Sequence, residues 1–136
     1  MAGSESALVK DPSGFDAAWD AACAGSSTVV VLMLAERNEE GEYWCGDCTD
    51  ADPVIRPALA ALPKDTAVVE CSVKRADYKD HPEYGLRTHP VAQLKGVPQL
   101  NRFQKGEDGT YTLTGPPLVE DDCKNSETVR KYLGLA

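Results

Sequence analysis

Six apolar residues in a row, Val29-Val30-Val31-Leu32-Met33-Leu34, limit what this chain can become. A strand with one face in water alternates apolar and polar side chains. An unbroken run suits a strand covered on both faces. The apolar stretch from Thr28 to Ala35 is also far too short to cross a bilayer, which takes about 20 residues. The run therefore predicts the central strand of a layered α/β domain, with helices above and below the sheet.

The flanking segments supply those layers. A short strand is expected near Ala7 to Lys10. Pro12-Ser13-Gly14 then punctuates the chain, and Ser13, with Asp16 three residues on, reads as a helix N-cap. Phe15, Ala18, Trp19 and Ala22 recur at helical spacing and mark one buried face. Gly25-Ser26-Ser27 ends that helix. After the central run comes a charged loop, Glu36 to Tyr43, and then Trp44-Cys45-Gly46-Asp47-Cys48. A helix is predicted from Cys48 to Leu62, with Ala51, Ile55, Leu59 and Leu62 inward. Pro53 and Pro57 lie inside it and should bend it. Ala67 to Val73 reads as a second buried strand. Lys74 to Leu94 is polar, is broken by Pro82, Gly85 and Pro90, and has room for one or two short helices. Gly96-Val97-Pro98 precedes a strand from Gln99 to Gln104. Gly106-Glu107-Asp108-Gly109 signals a hairpin turn into Thr110 to Thr114. A last helix is expected from Ser126 to Leu133, with Val129 and Leu133 on one face. Helix-length crossovers between the first three strands imply parallel pairing, and the last two strands form a hairpin.

The 136 residues suit one domain, 1–136, with 1–6 expected to be disordered. The net charge of −8 argues against nucleic acid and anionic membrane partners, which need basic patches. Residues 1–6 lack a basic region followed by an apolar run, so they do not read as a secretory signal. The expected address is the cytoplasm. There, structural disulfides are rare, and a close cysteine pair is catalytic or metal-binding.

Cys45 and Cys48 form such a pair at the start of a helix that follows a strand and loop, the context that makes Cys-x-x-Cys informative. At a helix start, the Cys45 side chain can face unpaired first-turn amides, which favour a thiolate together with the helix dipole. The thiolate is the attacking species in disulfide exchange. Cys48, one turn on, can attack the mixed disulfide and resolve it. A functionally inert pair and a zinc site are the competing readings, but structural zinc sites commonly add a second Cys/His pair. Cys23, Cys71, Cys123, His81 and His89 form no such pair, and no metal is expected.

Together these residues resemble the thioredoxin superfamily. More narrowly they resemble its small cytosolic thioredoxin-related branch, whose active site reads Trp-Cys-Pro-Asp-Cys. Trp44, Cys45, Asp47 and Cys48 match, and Gly46 replaces the branch's proline. The loop from Glu36 to Tyr43 is longer than in ordinary thioredoxins, as in the branch. Pro53 matches the superfamily's helix-kinking proline, and Val97-Pro98 matches the pair around its cis-proline. The likeness runs from about Ala7 to Leu133.

The resemblance implies a thioredoxin fold with a mixed sheet of about five strands and helices on both faces. It implies a disulfide reductase recharged by NADPH-dependent thioredoxin reductase, with no bound cofactor, acting on small or selected disulfides as a monomer. It further implies that backbone at Val97 and Pro98 pairs with substrate; Trp44, because it adjoins Cys45, is read as a substrate contact beside them. Two departures stand out. Gly46 loosens the first turn. The run Val29 to Leu34 also holds no acid, whereas ordinary thioredoxins place there an aspartate that accepts the resolving cysteine's proton. Asp47 is the nearest substitute, yet its charge opposes a thiolate at Cys45.

Other readings compete residue by residue. The groove around Trp44 and Val97-Pro98 would also serve a non-catalytic binding module. Trp44 has a packing role as its alternative, and Asp47 that of a first-turn acid. Cys71 is expected in the core, Cys23 inert near a helix end, and Cys123 exposed before the last helix. His81 and His89 are expected on the surface. Glu70, between Val69 and Cys71, is either a buried acid or a strand-end residue pointing out.

Overall fold

The computed structural model describes residues 5–135. Strand β2 (Thr28–Ala35) is buried along its whole length, as its unbroken apolarity requires. It lies between β3 (Thr66–Val73) and β4 (Gln99–Lys105). β3 runs parallel to β2, with Glu70 opposite Leu32, and β1 (Glu5–Val9) runs parallel to β3 on its far side. β4 is antiparallel to β2, with Leu100 opposite Leu32. Two short strands, β5 (Tyr111–Leu113) and β6 (Leu118–Val119), pair antiparallel with β4. The order β1-β3-β2-β4-β5, with β6 beside β4, is a mixed sheet.

Side-chain alternation assigns the two faces. Helix α1 (Phe15–Gly25) covers one: Trp19 packs edge-on to Phe103 of β4, with ring centroids 4.8 Å apart. Leu100 and Arg102 therefore point the other way. There the Tyr132 hydroxyl, in α5 (Ser126–Tyr132), accepts a bond from the Arg102 amide at 2.9 Å. Helix α2 (Gly46–Ala60) shares this second face, because its Arg56 reaches Glu70, the register neighbour of Leu32. Two one-turn helices, α3 (Arg75–Tyr78) and α4 (Gly85–Thr88), fill the stretch before β4.

Several local expectations need correction. Met1 to Ser4 lie outside the described residues, but Glu5 and Ser6 belong to β1 rather than to a disordered start. Ser13 does not cap α1. Asp11 instead accepts from the Ser13 amide at 3.0 Å and caps a 3-10 turn, Pro12–Gly14, that leads into the helix. Helix α2 starts two residues earlier than predicted, at Gly46, and its inner stripe uses Ala58, with Leu59 only half-buried. The hairpin turn is present, with Gly109 at φ 84°, a left-handed value that suits glycine. β6 and the 3-10 turn after it, Glu120–Lys124, carry no periodic signal and were not predicted. Cys123 sits in that turn and is fully buried, not exposed. His89 is also largely covered: its Nε2 lies 2.6 Å from Asp16, and its Nδ1 accepts from the Val91 amide at 3.0 Å. His81 is exposed beside Glu83.

Candidate active site

The two cysteines sit where β2 hands over to α2. Cys45 is the N-cap of α2 and is half-buried; Cys48 lies one turn on and is fully buried. The Cys45 carbonyl accepts from the amides of Cys48 and Thr49, at 3.1 and 3.2 Å, which closes the first turn. Its side chain, however, caps nothing. The thiol points across the cleft and donates to the Val97 carbonyl at 3.6 Å. The Val97–Pro98 peptide bond is cis. Cysteine pair and proline loop thus meet, although 52 residues separate Cys45 from Val97.

Cys48 has the opposite surroundings. Its sulfur accepts from the Ala35 amide at the end of β2, at 3.3 Å. Burial pushes its thiol well above the ordinary range. The Ala35 amide pulls back, whereas the neighbouring Cys45 and Asp47 push the same way as burial. Cys48 is therefore held as a thiol. Cys71 and Cys123 are also buried, and burial pushes each up to about 12. Cys23 is half-buried near the end of α1. Among the described residues, no three His, Cys, Asp or Glu side chains are placed to hold a metal ion.

Trp44 is both packed and presented. Its indole N–H donates to the Val73 carbonyl at 2.7 Å, and its ring lies 5.9 Å from that of Tyr78. Arg87 stacks over Tyr78 at 3.9 Å, so Trp44 rests on a braced shelf. A shallow groove of about 380 Å³ beside Trp44 is lined by Glu36 and Glu42 on the loop and by Lys74 and Arg75 opposite.

The long loop before the motif folds back on itself through an Arg37–Tyr43 bridge. The Tyr43 hydroxyl donates to Asp52 at 2.7 Å, and Arg56 bonds Asp52 at 2.9 Å. The guanidinium fork of Arg56 also grips both oxygens of Glu70, at 2.6 and 2.8 Å. Glu70 is thus the paired acid of a network that ties loop, helix and sheet together. Sequence reasoning missed its partners, since nothing local links residues 43, 52, 56 and 70.

Asp47 is not free. Its Oδ1 lies 2.7 Å from Lys124 Nζ, contributed by the 3-10 turn after β6. The proline loop is held from behind by two fully buried amides of β4. Asn101 donates to the carbonyls of Val91 and Ala92, and Gln99 accepts from the Lys95 amide at 2.8 Å. Gln99 and Asn101 share one face of β4, but Arg102, Gln104 and Lys105 make the strand polar elsewhere too, so the sequence did not mark these two as buried supports.

Gly46 takes the first helical position of α2, and a Cβ placed there meets nothing within 4 Å. Proline is favoured at such a position. Gly46→Pro is expected to fold normally and to gain about 0.4–1 kcal/mol, read as a higher urea midpoint. A lower midpoint would show that this turn needs glycine.

A sheet of this order, with a dithiol at the first turn of the helix after β2 and a cis X-Pro bond across from it, defines a thioredoxin-fold dithiol protein. The chain belongs to the thioredoxin domain-containing protein 17-like family, whose thioredoxin domain matches residues 9–133. It is 34% identical over 103 residues to thioredoxin domain-containing protein 17 of Danio rerio, covering 75% of this chain and 74% of that protein. Among solved structures, a thioredoxin of Plasmodium falciparum superposes with a TM-score of 0.63 at 14% identity, covering 98% of this chain and 88% of the other. Thioredoxin O2 of Arabidopsis thaliana gives 0.56 at 21% identity, over 93% and 92%. At those identities the structures attest the fold, while the family match supports thioredoxin-like redox chemistry in general.

Proposed function

We propose that this chain is a dithiol–disulfide reductase, with Cys45 as the attacking thiol and Cys48 as the resolving one. The observation that carries the reading is their unequal placement: Cys45 is reachable at the helix N-cap beside Val97, and Cys48 is buried behind it. The Cys45 thiolate attacks one sulfur of the substrate disulfide. A Cys45–substrate disulfide forms, and the other substrate sulfur leaves as a thiolate that takes up a proton. Cys48 gives up its proton and attacks the Cys45 sulfur, releasing the second substrate thiol. The dithiol has lost two electrons and two protons, and the substrate has gained them. Trp44, Val97 and Pro98 border the place where substrate would lie, and Gly46 and Asp47 shape the turn between the cysteines.

On this reading no cofactor is bound. NADPH-dependent thioredoxin reductase restores the dithiol, as the family resemblance suggests. The protein acts as a cytoplasmic monomer on protein or small-molecule disulfides, without nucleic acid or membrane partners. Among the described residues, no helix is long and apolar enough to cross a membrane. The test is an NADPH-coupled assay with thioredoxin reductase, comparing cystine with insulin. Cystine reduction with little insulin reduction is expected. Oxidation of NADPH with neither disulfide would overturn the reading. Full partner capture by a variant with both cysteines replaced by serine would favour a binding module instead.

A further inference from the structure

Asp47 places a carboxylate between the two cysteines, where its charge disfavours a thiolate. The structure supplies the opposing charge from far along the chain. Lys124 Nζ lies 2.7 Å from Asp47 and 2.9 Å from Asp121, with Asp50 at 3.7 Å. The lysine is not a loose surface charge, because the turn that carries it is anchored on three sides. β6 pairs with β4 just before it. The Glu120 amide donates to the Pro98 carbonyl at 2.7 Å. The buried Cys123 thiol donates to the carbonyls of Pro98 and Leu118, at 3.7 and 3.5 Å. Proline loop and lysine are therefore fixed in one unit against the start of α2.

We propose that Lys124 is a positioning residue for the redox pair: by pairing with Asp47 it offsets the one carboxylate inside the motif and so lowers the cost of forming a thiolate at Cys45. The proposal deepens the reading of Cys45 as the attacking thiol and rests on it. The charged and titratable groups around the pair come from two elements. The start of α2 brings Cys45, Asp47, Cys48 and Asp50. The turn brings Glu120, whose carboxyl end lies against Gly96 of the proline loop, with Asp121, Asp122, Cys123 and Lys124. β2 meets Cys48 with the Ala35 amide, and the proline loop meets Cys45 with the Val97 carbonyl; neither is charged. Removing the lysine charge leaves Asp47, the carboxylate between the two cysteines, and Asp50, two residues beyond Cys48, without this partner.

The experiment follows Cys45 alkylation by iodoacetamide in the reduced full-length protein as a function of pH, with mass spectrometry to identify the site. It uses neither substrate nor reductase, so its outcome is separate from that of the coupled assay. Lys124→Met is expected to raise the midpoint by about half a pH unit, roughly threefold in rate at a fixed lower pH. The shift should shrink in 1 M salt, which screens exposed charge. Adding Asp47→Asn to Lys124→Met should return the midpoint towards that of the native protein, and Lys124→Arg should leave it in place. An unchanged midpoint in Lys124→Met would overturn the proposal, and so would a shift that Asp47→Asn does not reverse. Asp47→Asn alone gives a further check should Lys124→Met fold poorly. Its midpoint should equal or fall below that of the native protein, and a rise would overturn the proposal.

Discussion

Serine in place of Cys45 is expected to reduce disulfide turnover by roughly a thousandfold or more. A hydroxyl at the N-cap keeps the turn but offers no thiolate, and the buried Cys48 cannot take over the attack. Cys48→Ser should fail differently. Attack by Cys45 survives, release does not, and a mixed disulfide with substrate should accumulate, visible by non-reducing mass spectrometry. An unchanged rate in Cys45→Ser would sink the assignment. Trapping by Cys45→Ser rather than by Cys48→Ser would reverse the two roles.

The second large effect is expected away from the cysteines. Asn101 is fully buried and bonds the carbonyls of Val91 and Ala92, while its own Oδ1 accepts from Gln99 at 2.9 Å. Asn101→Ala removes all three bonds. Gln99 still reaches the Ala92 carbonyl at 3.4 Å, so part of the loss is covered. Leaving buried polar groups unpaired costs about 1–3 kcal/mol each, and a net destabilisation of about 2–3 kcal/mol is expected. The shift in urea midpoint measures it. The segment held by Asn101 runs directly into Lys95, Val97 and Pro98, so surviving activity should show a raised KM. A stability within about 0.5 kcal/mol of the native protein, the range of an ordinary surface change, would show that this network is dispensable.

Much of this arrangement is legible in the amino-acid sequence. The apolar run at Val29 to Leu34 announced β2, because only a doubly covered strand tolerates such a sequence. The cysteine spacing announced a helix start, and Gly106 to Gly109 announced a hairpin. These signals are local. What stayed hidden depends on residues far apart in the chain. Lys124 looks like any surface lysine until the turn docks against α2. Arg56 and Glu70 look like separate charges until α2 crosses β3. Cys123 reads as exposed beside three acids, yet the left-handed backbone at Glu120, φ 55°, turns it inward under Pro98. β6 has only two residues, too few for any period to show.

The sheet order carries one more consequence, for the chain as it is made. β2 is complete early in synthesis, yet one of its two neighbours, β4, lies some seventy residues downstream. A nascent chain therefore leaves the ribosome with Cys45 and Cys48 exposed as a plain pair of thiols. The Val97 carbonyl arrives later, and the lysine partner of Asp47 later still. Until then the motif is present as sequence but lacks its chemical surroundings. The turn that carries Lys124, some seventy-five residues after Cys48, completes those surroundings.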